Sequence, residues 1–117
     1  MQVSLLTRHD EVIAVLNGDL TMTTLDDVLP VFVDISDAPE QNVCVDLSGV
    51  PTIDAAAIGL LIALNQRLRA AGHDLTVFCP PGQPRGLIAM IGLDQDVRVI
   101  DWSNGGSNPG QPGVLYH

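Results

Sequence analysis

Short runs of Val, Leu and Ile alternate along this chain with segments of helical spacing, and few folds accommodate that alternation. Val3 to Leu6 and Val12 to Leu16 are two apolar runs separated by the polar stretch Arg8-His9-Asp10-Glu11, which predicts a hairpin. The second run is apolar at consecutive positions, as in a central strand covered on both faces. From Thr23 to Ile35 the residues Leu25, Val28, Leu29 and Phe32 recur at three and four, and Thr23 with Asp26 resembles a capping box. A helix follows, with Pro30 as its one defect: without an N–H, proline either kinks a helix or sits close to its start.

Asn42 to Leu47 predicts a short buried strand ending in Ser48-Gly49-Val50-Pro51. Asp54 then stands where an N-cap belongs, and the next segment runs to Gly72, a suitable C-terminal stop. Ala57, Leu61, Leu64, Leu68 and Ala71 line one stripe of that helix, with Asn65, Gln66 and Arg69 facing away. Leu75 to Cys79 predicts another strand, broken by Pro80-Pro81-Gly82. Pro84 opens a third helix with Leu87, Ile88 and Ile91 on its core face and Gly92 at its end. Val97 to Ile100 makes a last edge strand. The order predicts an α/β domain over residues 1–101: a mixed, mostly parallel sheet of about five strands with three main helices. Residues 102–117, rich in Gly, Pro, Ser and Asn, are expected to form a disordered tail.

Composition narrows the function more than the fold. Only 3% of residues are aromatic against 46% hydrophobic, so the core is built from aliphatic side chains. The net charge of −9 arises from 14 acidic residues against five arginines, with no lysine. Such a chain repels phosphate backbones and anionic lipid, which excludes nucleic acid and membrane surfaces as expected partners and favours a protein with a basic patch. The longest apolar run, Ala55 to Leu64, is about half of the roughly 20 residues that span a bilayer. No secretory signal pattern is visible, and a cytoplasmic, bacterial protein is expected.

Candidate chemistry is sparse. Cys44 and Cys79 lie inside apolar runs, as buried free thiols do, and neither shares metal-ligand spacing with His. His9 and His73 stand in turns with no nucleophile in a useful relation. No glycine-rich phosphate loop appears, so neither a catalytic residue, a cofactor nor a metal is expected; Asp46 and Asp54, flanking one loop, are the nearest approach to a catalytic pair. Asp26, Asp27, Asp34, Asp37 and Glu40 read as a solvated acidic face, with steering of a basic partner as the rarer use. In the tail, Pro109 and Pro112 have a spacing that chance readily supplies.

The stretch Val45-Asp46-Leu47-Ser48 through Asp54-Ala55-Ala56-Ala57-Ile58-Gly59-Leu60 resembles the signature of the STAS domain, named for sulphate transporters and anti-sigma factor antagonists. In that family a strand ending Asp-Leu-Ser is followed by Asp-Ser-Ser/Thr-Gly-Leu-Gly opening a helix. Gly18-Asp19-Leu20-Thr21 is similar to the family's turn after the second strand, and Arg85 to Leu93 to its last helix. The resemblance implies a non-enzymatic regulator that binds a kinase-like anti-sigma factor and frees a sigma factor, in transcription or stress signalling. It also implies a departure: Ala56 occupies the position of the family's phosphoacceptor, Ala55 replaces a Ser and Ala57 a Gly. Phosphate would add nearly two negative charges, and this chain has no hydroxyl there to receive them.

The partner-binding residues implied are Asp19, Thr52, Asp54, Ala55, Ala56, Ala57, Ile58, Gly59 and Ile62. On the helical wheel Ile58 and Ile62 stand beside the buried stripe, either as an apolar docking shoulder or as a widening of the buried face. From its residues alone Asp54 reads first as an N-cap and nothing more, its interface role resting on the resemblance, and Thr52 reads first as a turn residue. The alternative role is a degenerate STAS scaffold or ligand-binding subunit of a transporter or stress-signalling complex.

Overall fold

The computed structural model describes residues 1–37 and 41–101. The expected tail, Glu40 and the Pro109–Pro112 pair lie outside them. Gln2–Arg8 (β1) and Glu11–Asn17 (β2) pair antiparallel across a turn in which His9 takes a left-handed φ of 44°. Asn42–Gly49 (β3), Leu75–Phe78 (β4) and Arg98–Ile100 (β5) then add in parallel, giving a sheet of order β1-β2-β3-β4-β5. Leu25–Ser36 (α1), Ala55–Ala70 (α2) and Gln83–Ile91 (α3) supply the crossovers, and a 3-10 turn at Leu93–Gln95 precedes β5. The predicted class, strand number and helix number are all found.

Side-chain alternation divides the sheet into two faces. Ala14, Leu16, Val43, Val45, Leu47, Leu75 and Val77 face one side and join a single core with Val28 and Phe32 of α1, Leu61, Leu64 and Leu68 of α2, and Ile88 of α3. On the opposite face Ile13, Cys44 and Phe78 form a smaller buried cluster. β2 thus buries side chains on both faces, which is why its sequence shows no alternation. Among the described residues no helix is long and apolar enough to cross a membrane.

Close approach fixes Gly49. A Cβ there would fall 2.9 Å from the Leu16 carbonyl oxygen and 2.0 Å from Asn17 Oδ1. It lies where the β2–β3 register shifts between Val15 and Asn17, so glycine lets the two strand ends converge just before the candidate site.

Several local expectations are corrected. Thr24, not Thr23, stands at the start of α1, and no capping box forms; Thr24 Oγ1 donates instead to the Asp19 carbonyl at 2.7 Å and accepts from the Thr21 amide at 3.0 Å. Pro30 sits inside α1 on its exposed side, where the Asp26 carbonyl it leaves unbonded can be solvated. Leu29 and Ile91 are exposed rather than core, and Ala71 lies outside the buried stripe of α2, whereas Asn65 lies within it. Val97 is buried ahead of β5 instead of opening it.

Candidate partner-binding site

Asp54 takes the extended backbone of an N-cap, and its Oδ1 accepts from the Ala57 amide at 3.1 Å, which satisfies one of the free donors at the start of α2. Its second oxygen does something a cap need not do: Oδ2 accepts from the Met22 amide at 2.9 Å, 32 residues away in sequence. The Met22 bond is the largest cause holding the Asp54 carboxyl below its ordinary value; partial desolvation opposes it, and bonds from Ala57 and Ala56 add to it. One carboxylate therefore joins the β2–α1 loop to the first turn of α2.

Backbone pairing reinforces that junction. Leu20 and Ile53 form a parallel bridge, the Leu20 amide donates to the Thr52 carbonyl at 3.0 Å, and both side chains are buried. From the other side, the Gln83 amide group clamps Ile53, accepting from its N–H and donating to its carbonyl at 2.9 Å each. The turn is held by α3 as well as by the β2–α1 loop. Asp19, Thr52 and Ala55 are exposed on this ridge, Asp54 and Ala56 are half-buried, and Gly59 is exposed one turn on.

The two isoleucines part company. Ile62 is 38% exposed, but Ile58 is 3% exposed and packs in the main core with Ala57. The docking-shoulder reading is therefore corrected for Ile58, and Ala57 likewise presents no side chain to a partner. α2 lies against the sheet and α1 together, and the two contacts bury a wider arc than a single stripe implies. Met22, 74% exposed beside Asp54, was not singled out from sequence. No periodicity marks it, and only the contact across 32 residues brings it to the site.

Asp46 is buried on the sheet face opposite the helices and accepts from the Ser48 amide at 2.9 Å, while Asp54 serves the helix layer, so the two carboxylates do not converge. The strands' C-terminal ends border a cavity of about 330 Å³, lined by Ser48, Val50, Pro51, Pro81, Gln83 and Pro84 among others. Its lining has no titratable side chain except Cys79, which burial pushes up to about 11 and so keeps a neutral thiol. Arg85 donates to the Cys79 carbonyl at 3.0 Å and pairs with the buried Asp101, fastening α3 to the ends of β4 and β5. Among the described residues, no group of three His, Cys, Asp or Glu side chains is placed to hold a metal.

A family model described as Mlab, STAS domain matches residues 5–101. No curated protein sequence matches the chain. Solved structures do. An anti-sigma factor antagonist from Mycobacterium paratuberculosis superposes with a TM-score of 0.75 at 18% identity, covering 84% of this chain and 83% of that one. The Bacillus cell fate determinant SpoIIAA in its phosphorylated form gives 0.67 at 15%, with 86% and 90% covered. A sulfate transporter family protein from Wolinella succinogenes gives 0.66 at 18%, with 80% and 79% covered. At these identities the likeness is one of fold.

Proposed function

The chain belongs to the STAS domain family, and on that footing we propose that it is a non-enzymatic regulator that binds an anti-sigma factor through the Asp54 turn and so frees a sigma factor. The observation that carries this reading is the turn itself. It is an exposed ridge held by two neighbouring segments, with Ala55-Ala56-Ala57 where a phosphoacceptor would stand. Rigid exposed surface favours binding, because little ordering entropy remains to be lost when a partner docks. SpoIIAA has been solved both phosphorylated and unphosphorylated. This chain has only alanine methyl groups in the first turn of α2, so its contact with a kinase-like partner is not switched there.

The test is affinity capture with a histidine-kinase-like anti-sigma factor as candidate partner. Ile58 is buried and belongs to the core, so the variant is Ala55→Arg with Ile62→Asp, both at exposed positions. Loss of capture by a variant with unchanged circular dichroism is the expected result. Equal capture by both proteins would remove the Asp54 ridge from the interface.

A second reading has its own support in the sulfate transporter family neighbour. There the domain is a scaffold subunit of a transporter or stress complex. Co-purification of a transporter ATPase, with no anti-sigma factor, would favour it.

A further inference from the structure

The first residues of β2, β3, β4 and β5, namely Glu11, Asn42, Leu75 and Arg98, border a cleft of about 300 Å³ at the end of the sheet opposite the Asp54 turn. We infer that this cleft binds a small zwitterion of the amino-acid kind, with an ammonium, a carboxylate and an aliphatic side chain. This is independent of the protein partner proposed above, which meets the other end of the sheet.

Asn65 is the observation that points to a ligand. It lies in α2 and lines the cleft, with only 8% of its surface exposed. Among the described residues no group hydrogen-bonds its side chain, although a carboxamide offers two donors and an acceptor. A buried polar group left in that state costs stability, and an apolar side chain beside Leu61, Leu64 and Leu68 would avoid the cost. The fold therefore gives no reason for the amide, whereas a ligand in the cleft does.

Charge identifies the class of ligand. Arg69 and Arg98 bring cations to the cleft, and Glu11, Asp74 and Asp96 bring carboxylates, yet among the described residues no ion pair joins any of them. Arg69 Nη2 donates to the main-chain carbonyl of Asp96 at 3.1 Å instead of to its carboxylate. Burial lifts the Glu11 carboxyl above its ordinary value, and the charges of Arg8 and Arg98 offset this only in part. Opposite charges that line one cleft without meeting leave a gap that a molecule carrying both signs bridges. An anion alone would face three carboxylates, and a cation alone two guanidinium groups. Past Asn65 lies a second hollow of about 260 Å³, which shares Asn65, Arg69 and Asp96 and adds Ile62 and Leu93 to its walls, where an aliphatic side chain can rest. At the junction the Asn65 amide can accept from the ammonium and donate to the carboxylate.

The probe is L-leucine, titrated into isotope-labelled protein beside two analogues that each lack one charge: isocaproate, without the ammonium, and isoamylamine, without the carboxylate. Saturable amide shifts are expected at Asn65, Arg69, Thr76 and Arg98, with a Kd of about 1 mM or tighter, and each analogue should bind at least about tenfold more weakly because it forfeits a charge-assisted contact. Asn65→Leu should abolish the shifts while leaving the urea midpoint unchanged or raised, since it removes an amide that the fold does not use. Arg98→Gln, at an exposed position, should keep the fold and weaken leucine binding about tenfold. The absence of any saturable shift, equal binding of the three molecules, a urea midpoint lowered by Asn65→Leu, or unchanged affinity in Arg98→Gln would each overturn the proposal.

Discussion

Helix α2 has two sides that answer to different demands. Its inner side carries Ala57, Ile58, Leu61, Leu64 and Leu68, all aliphatic and packed in the main core, with Asn65 as the one buried polar side chain among them. Its outer side carries Ala55, Gly59, Ile62, Ala63 and Gln66, where neither packing nor helix propensity explains the glycine. The difference teaches that the inner side sets stability and the outer side is free for contact. Substitutions should therefore separate the two properties cleanly.

The largest effect expected is on the inner side. Leu61→Ala, at a fully buried position, should cost about 2–5 kcal/mol in urea unfolding through lost burial and the cavity left behind. A much smaller loss would mean that α2 is not seated as described.

Alkaline pH probes the same core chemically. Burial holds the Cys44 thiol well above the ordinary range and raises Cys79 from 9.0 to about 11. The fold favours the neutral thiol, so this contribution is whole below the unfolded thiol's pKa and is lost as pH rises through the folded value. For Cys79 the window runs from 9.0 to about 11, a range in which the chain has no lysine to confuse the titration. Thermal melts should fall steadily across that window, and Cys79→Ala should make the fall shallower without removing it, because Cys44 contributes over the same range. A flat wild-type profile would contradict the burial of the thiols.

The outer side should give smaller and opposite changes. Gly59→Ala should raise stability by about 0.5–1 kcal/mol, since it removes backbone freedom from the unfolded chain and meets no obstacle. Partner binding should weaken in the same variant, and a variant that is stabler and binds equally well would break the contrast. Smallest of all, Ile62→Asp should move stability within about 0.5 kcal/mol. A loss of core size would show that Ile62 belongs with Ile58.

Much of this was legible in the sequence because local signals agreed with tertiary ones. Gly72 as a stop and the unalternating β2 run each had a single physical reading, and Asp54 was recognisable as a cap whatever its further role. Ile58 was ambiguous because the wheel fixes spacing but not the width of the arc that two neighbours bury. The Met22–Asp54 bond was invisible, since no local pattern encodes a contact between a loop amide and a carboxylate 32 residues on. Thr24 was missed for a related reason: its hydroxyl serves the Asp19 carbonyl, and propensity cannot choose between neighbouring threonines.

The most direct test incubates the protein with the proposed partner, a histidine-kinase-like anti-sigma factor, and ATP, then measures both mass and affinity. An unchanged mass and an unchanged Kd are expected, because the first turn of α2 offers methyl groups where a phosphoacceptor would stand. Gain of one phosphoryl group on Thr52 or a neighbouring threonine, with loss of binding, would contradict the account.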